Sequence, residues 1–232
     1  MVLLSQLLNN LFVHTLFLEF IFFSITFLVS LYSFKIYKIS FKREIKLFAI
    51  SFLLISLSYL SLIILNTTTI FDVWNLLIVS NNKFIGNNIF SLIISSFFKY
   101  SQILLFSSGL LVLTYMTLGI ENKKTLFLLF LLVILPLLVR ESGISLLYFS
   151  SSIMLLFIIV YYINIYRITK QIRMLLILAA FVTLFLGTFN FVFAKSINFY
   201  FIAAHILTLV AYTLILISLL HAIPHGKKKK QA

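Results

Sequence analysis

The sequence predicts an all-α membrane protein with seven transmembrane helices, its N-terminus outside and its C-terminus in the cytoplasm. Composition, the length of the apolar stretches and the placement of the charges lead to this class. The chain of 232 residues is 62% hydrophobic and only 10% charged, and its mean hydropathy is +1.18. Because a soluble domain is about 45–50% apolar with roughly 25% charged residues, this composition excludes both a soluble domain and a disordered chain.

Seven stretches are apolar enough to cross a hydrocarbon core of about 30 Å, which takes about 20 helical residues. They are Leu11–Phe34, Leu47–Leu65, Ile89–Ile120, Thr125–Val139, Ile144–Tyr166, Met174–Ala194 and Phe199–Leu220. The fourth would be only about 22 Å long as a helix. Lys124 and Arg140 at its ends are therefore expected to extend to the two interfaces. The period-two alternation of a transmembrane β-barrel is absent from these sequences.

The basic residues predict the orientation. Of the 18 Lys and Arg residues, 14 fall on connections that a seven-span arrangement places on one side. They are Lys35, Lys38, Lys42, Arg43, Lys46, Lys123, Lys124, Arg167, Lys170, Arg173, Lys227, Lys228, Lys229 and Lys230. Cytoplasmic connections carry an excess of Lys and Arg, so this side is predicted to be cytoplasmic. The net charge of +13 then indicates topology rather than nucleic-acid binding, and the basic face is expected to attract anionic lipid headgroups.

The chain is predicted to form one seven-helix transmembrane domain over residues 1–226, followed by a basic cytoplasmic tail over residues 227–232. The outer connection at residues 66–88 is long. Its apolar side chains recur with the spacing of one helix face, at Ile70, Val73, Trp74, Leu77 and Ile78. This pattern predicts a short interfacial helix over residues 70–78 on the outer surface.

Two short similarities indicate an internal repeat. Ile36–Ser40 follows the first span and the similar Ile165–Thr169 follows the fifth, 129 residues later. In the same way, Gln102–Leu104 of the third span resembles His205–Leu207 of the seventh. One interpretation is two parallel three-helix units joined by the fourth span, a 3+1+3 plan known from transporters. The other is chance similarity within a small apolar alphabet.

Polar side chains inside the spans are the candidate functional residues, because they are costly in hydrocarbon. We single out six of them: Glu19, Lys99, Gln102, Asn190, His205 and Tyr212. The first five fall in the outer halves of spans one, three, six and seven, which predicts a polar pocket open to the outside. Glu19 could pair there with Lys99 or His205 and bind a polar ligand. Alternatively, these groups only hold helices together through hydrogen bonds, and Lys99 extends to the membrane surface.

Several chemistries are excluded by the residues themselves. An intramembrane aspartyl protease needs two carboxylates, but Glu19 is the one acidic residue within a span. The last span has no lysine for a retinal Schiff base, and the chain has no cysteine. His221 and His225 are four residues apart, but Pro224 breaks a helix between them. We therefore expect no enzymatic activity, no metal site and no cofactor.

The C-terminal third resembles a known type of membrane region. A basic turn, Tyr166–Lys170, leads into an apolar helix, and the helix containing Ala204–Tyr212 follows after a short outer loop. This pattern is similar to the seven-helix sensor regions at the N-termini of prokaryotic, especially archaeal, histidine kinases and to stand-alone archaeal membrane proteins. The resemblance covers residues 150–222 and, through the repeat, residues 20–60. It implies a seven-helix sensor, and no functional residue is carried over from it.

These observations favour a receptor-like or sensor-like integral protein of the plasma membrane. It would bind an unidentified ligand or partner through the outer pocket and would pass a small helix shift to a protein partner or a second copy of itself. No nucleic-acid partner is expected. Two alternatives stay open: a small-solute or proton-coupled transporter of 3+1+3 plan, and a non-catalytic structural subunit of a membrane complex.

Overall fold

In the computed structural model, all the regular secondary structure of the described residues is helical. It describes residues 2–78, 85–119, 127, 129–131, 133–134, 143–194 and 198–222, and within these the side chains of 15–69, 93–119, 127, 129–131, 133–134, 145–194 and 199–221. The helices are α1 (Val2–Ser40), α2 (Arg43–Ile78), α3 (Ile85–Leu118), α4 (the helical residues 127, 129–131, 133 and 134), α5 (Gly143–Thr169), α6 (Ile172–Phe193) and α7 (Asn198–Ala222).

Six helices are long and apolar enough to cross a membrane, which makes the chain a multi-pass integral membrane protein. Their membrane-spanning parts are Thr15–Ser40, Arg43–Thr69, Ile93–Leu118, Ser145–Thr169, Ile172–Phe193 and Phe199–His221. The all-helical class and six of the seven predicted spans are thereby confirmed. The fourth predicted span, Thr125–Val139, lies mostly outside the described residues. In α4, Leu129 and Val133 are buried one turn apart. A seventh crossing and the orientation of the chain stay predictions.

The six long helices form a closed ring over the described residues. α1 packs against α2 and α7, α3 against α2 and α5, and α6 against α5 and α7. α1 and α2 run antiparallel, as two contacts between them show: Ser30 donates a hydrogen bond to the carbonyl of Ala49, and the Phe22 ring lies 5.4 Å from that of Tyr59. The ring therefore consists of two consecutive three-helix groups, α1–α3 (the first group) and α5–α7 (the second group), joined along two seams.

The turn between α1 and α2 has the same geometry as the turn between α5 and α6. The residue directly after each preceding helix has a left-handed conformation although it is not glycine: Phe41 has φ 53° and Lys170 has φ 50°. The Phe41 amide donates to the Tyr37 carbonyl at 2.8 Å, and the Lys170 amide donates to the Tyr166 carbonyl at 2.8 Å. This is the single-bond left-handed helix end, a conformation that is unfavourable for an ordinary residue by about 1–2 kcal/mol.

The helices after these turns also begin alike. In both, the amides three and four residues ahead donate to one carbonyl in the turn: Ile45 and Lys46 to Lys42, and Met174 and Leu175 to Gln171. Every one of these positions is related to its counterpart by the 129-residue spacing of the sequence similarity. The second similarity is not matched by burial, since Ile103 is 1% exposed whereas Ile206 is 57% exposed.

One end of the bundle is densely packed. The fully buried side chains there come from all six long helices and include Val29, Phe52, Leu110, Ile158, Phe181 and Ile215. This end contains the last part of α3, α5 and α7 and the first part of α2 and α6. It therefore seals the ring on the side where α1 ends.

Two glycines allow close helix contact. A Cβ at Gly109 would come within 2.9 Å of the Ser51 carbonyl oxygen on α2, and a Cβ at Gly187 would come within 2.8 Å of Thr208 Oγ1 on α7. Small residues at such positions let backbones approach, which is how helices associate where lipid removes the hydrophobic driving force.

The predicted outer connection is partly wrong. α2 continues as one helix through residues 66–78, so the segment 70–78 is helical but is not a separate interfacial helix. No glycine or proline occurs between Arg43 and Ile78 to end it. At 36 residues, α2 is about 54 Å long, well beyond the hydrocarbon core. Residues 79–84 and the predicted basic tail 227–232 lie outside the described residues.

Candidate functional site

A cavity of about 520 Å³ lies inside the ring, at the end opposite the packed core. All six long helices line it, with residues within 15–22 of α1, 58–66 of α2, 102–106 of α3, 145–148 of α5, 184–191 of α6 and 201–212 of α7. The cavity therefore extends toward the end of the bundle where the membrane-spanning part of α1 begins. Its volume is within the range of about 300–1,000 Å³ typical of small-molecule sites.

Glu19 is the acidic group among the described residues of the cavity. Its side chain is 2% exposed, and its Oε1 accepts a hydrogen bond of 2.6 Å from the Asn66 amide of α2. Among the described residues, its Oε2 has no hydrogen-bond partner, and the same holds for Oε1 of the buried Gln102. Both residues line the cavity. A buried polar atom without a hydrogen-bond partner destabilises a fold. At this end of the ring, the two oxygen atoms therefore have a hydrogen-bonding capacity that the described protein groups leave unused.

His205 lies on the opposite, second-group side of the cavity, within an aromatic cluster. Its Nδ1 is 2.8 Å from the Phe201 carbonyl oxygen. A carbonyl only accepts, so Nδ1 donates, and in the neutral ring Nε2 is left as an acceptor. The His205 ring lies 4.9 Å from that of Phe191, which in turn stacks on Tyr148 at 4.7 Å.

An aromatic layer separates the cavity from the packed core. The hydroxyls of Tyr59 on α2 and Tyr212 on α7 are 3.0 Å apart and form a hydrogen bond. The Phe22 ring of α1 contacts both tyrosines, at 5.4 and 6.0 Å, and it also stacks on His205 at 5.9 Å. This layer joins the two groups directly beneath Glu19, which is one helical turn from Phe22.

The structure brings together four of the six predicted site residues: Glu19, Gln102, His205 and Tyr212 all line the cavity. Lys99 is half-buried on α3 and is not part of the lining. Asn190 donates to the Leu186 carbonyl of its own helix at 2.7 Å and does not line the cavity.

The expected pairing of Glu19 with Lys99 or His205 is not what the structure shows. Asn66 is the residue that donates to Glu19. The sequence placed Asn66 in a loop, whereas the longer α2 carries it alongside α1.

Several aromatic lining residues were missed because hydropathy cannot distinguish them from core or lipid-facing residues. They are Phe22, Tyr59, Tyr148, Phe191 and Phe201. Asn66 was missed because it was placed in a loop. One sequence feature could have pointed to Asn66. It lies at the polar end of an apolar run, and a helix can continue from such a position beyond the hydrocarbon core. Helices two and five of the predicted bundle also contribute to the site, which the sequence had assigned to helices one, three, six and seven.

Within the part of the chain that the structure describes, no three His, Asp or Glu side chains come together to hold a metal ion. Compared with protein families, with curated proteins and with solved structures, the chain matches none of them. The geometry of the cavity is therefore the basis for a functional proposal.

Proposed function

We propose that this protein is a receptor-like integral membrane protein that binds a small molecule in the central cavity. One observation carries the proposal: a cavity of ligand size contains the buried Glu19, whose Oε2 has no partner among the described residues. The packed core beyond the aromatic layer supports a site that is entered from one end. The likeness of the C-terminal third to histidine-kinase sensor regions agrees with this function.

In this proposal the ligand acts on the two groups together. The cavity walls come from both groups, and the Tyr59–Tyr212 hydrogen bond joins them. A ligand that contacts both walls would bias their relative position, and a protein partner or second copy at the basic face would respond to that shift. The cavity is predicted to open to the outside of the plasma membrane, because the charge distribution places the start of α1 there.

A second candidate is a transporter of 3+1+3 plan. The observation that favours it is the identical geometry of the turns at Phe41 and Lys170, together with the two seams between the groups. If the two groups are exchanged, so that α1, α2 and α3 take the places of α5, α6 and α7 and the reverse, the α3–α5 contact takes the place of the α7–α1 contact. Transporters built from repeats bind substrate at the repeat interface, which is where this cavity lies.

Three consecutive residues of α2 offer a test, because they face three different environments. Leu60 is exposed at the surface of the bundle, Ser61 faces α3 through a 3.4 Å contact with Ser101, and Leu62 lines the cavity. The chain has no cysteine, so Leu60→Cys, Ser61→Cys and Leu62→Cys each introduce a single thiol. The measurement is the rate at which each reacts with a membrane-impermeant thiosulfonate.

We expect the cysteine at position 62 to react about tenfold or more faster than those at 60 and 61, because a thiol needs water to form the reactive thiolate. Equal, slow reaction at all three positions would overturn the proposed binding site and leave the structural-subunit alternative. Reaction at position 62 from one side of sealed vesicles only is expected for a receptor. Reaction from both sides would favour the transporter.

A further inference from the structure

We propose that the ligand of the central cavity is a small organic cation, a protonated amine whose charge is balanced by Glu19. This inference rests on the proposed function, because it assigns a chemical class to the molecule that occupies the same site. It follows from the charge, the hydrogen-bonding capacity and the aromatic surface of the cavity.

The charge of the lining is one-sided. Among the described residues that line the cavity, Glu19 is the one acidic residue, and none is Lys or Arg. The cation that the sequence suggested as a partner, Lys99, is outside the lining. A carboxylate in a low-dielectric site is costly unless an opposite charge lies close to it. The Asn66 amide occupies only Oε1, so Oε2 is left for the ligand.

Two buried oxygen atoms of the lining are acceptors without a partner among the described residues. Oε2 of Glu19 and Oε1 of Gln102 are buried and unpaired among the described residues, and Nε2 of neutral His205 is a third acceptor. An ammonium group carries several donors and no acceptor, so it complements this set. A carboxylate or phosphate would place a second negative charge and further acceptors beside Glu19.

The opposite wall suits the rest of such a molecule. The second group contributes Tyr148, Phe191 and Phe201, and Phe22 of the first group lies beneath them. Cations within about 6 Å of an aromatic centroid are attracted by the ring quadrupole, and the effect is larger where water is excluded. The cavity thus presents the unpaired oxygens of Glu19 and Gln102 on the first group and aromatic rings from both groups.

A bare metal cation fits less well. A hard divalent ion takes six or more oxygen ligands, often carboxylates, and Glu19 is the one carboxylate among the described lining residues. Within the described side chains no cluster of three potential metal ligands is found. A large, weakly hydrated organic cation can contact both the acceptor oxygens and the aromatic rings, whereas a metal ion would bind only the oxygens.

The charge preference can be measured at the Leu62→Cys thiol with two reagents of similar size. Trimethylammonioethyl methanethiosulfonate is cationic and sulfonatoethyl methanethiosulfonate is anionic, and each rate is divided by the rate for free cysteine in solution. We expect the cationic reagent to be favoured by about tenfold, as fields in low-dielectric clefts concentrate ions of the opposite sign. Adding Glu19→Gln removes the charge and keeps an oxygen for Asn66, and we expect the preference to fall to near one.

Glu44→Gln is the matched control, because Glu44 is exposed in the first turn of α2, at the other end of the bundle. It should leave the tenfold preference unchanged. Normalised rates that are equal for both reagents would overturn the cation assignment and leave the binding site intact. No reaction with either reagent would overturn the site itself, and the cation with it. If Glu19→Gln does not fold, the rates measured with Glu19 present still distinguish a preference for the cationic reagent from equal rates for both reagents.

Discussion

Replacing Phe22 by alanine is expected to lower the free energy of unfolding by about 3 kcal/mol, the low end of the range for a buried Phe→Ala change. The Phe22 side chain is 2% exposed and contacts rings on two other helices, those of Tyr59, His205 and Tyr212. Lipid tails are as apolar as a protein core, so little of the lost stability comes from the hydrophobic effect. Most of it comes from the packing contacts of the ring, which are missing once the substitution leaves a cavity. The measurement is unfolding of the purified protein by sodium dodecyl sulfate.

Phe20→Ala is the control for this prediction, since it makes the same change two residues away on the same helix. Phe20 is 59% exposed on the outside of the bundle. Its removal should change the free energy of unfolding by less than about 0.5 kcal/mol. Equal effects of the two substitutions would show that α1 does not face the ring as described.

Replacing Asn66 by leucine is expected to cost about 2–3 kcal/mol of stability, although the two side chains are similar in size. The substitution removes the 2.6 Å hydrogen bond to Glu19 and leaves both carboxylate oxygens without a partner among the described residues. A polar group that stays buried and unpaired costs its full desolvation penalty. The same unfolding measurement applies.

The double variant Glu19→Leu with Asn66→Leu tests this explanation. Replacing both partners by apolar groups leaves no orphaned carboxylate, so the double variant should be more stable than Asn66→Leu alone. Additive effects of the two single substitutions would contradict a direct interaction.

The fold was predictable where hydrophobicity alone decides it. The spans ending near Phe34 and Tyr166 and the all-helical class follow from long apolar runs, because a membrane leaves a chain few ways to satisfy its backbone. The end of α2 was not predictable in this way. Asn66 reads as the start of a loop, but nothing after it breaks a helix, so α2 continues to Ile78.

The site was only half predictable. Glu19, Gln102, His205 and Tyr212 were found because polar groups are unusual within spans. Tyr148 and Phe191 were not, since aromatic residues face lipid, core and cavity alike. Glu19 was assigned a charged partner on the general rule for buried charges, whereas the structure pairs it with an amide. The 3+1+3 repeat, which came from two short sequence similarities, stays a prediction, although the turns at Phe41 and Lys170 have similar φ values and the same hydrogen bond.

The central claim is that a small organic cation occupies the cavity between the two groups. Protection of the Leu62→Cys thiol from a neutral reagent, methyl methanethiosulfonate, tests it most directly. Three additives of similar size serve as probes: benzylammonium, benzyl alcohol and benzenesulfonate. We predict that benzylammonium slows the reaction, that the neutral and anionic compounds do not, and that Glu19→Gln removes the protection. A reaction rate unaffected by benzylammonium, or slowed equally by all three compounds, would contradict the account.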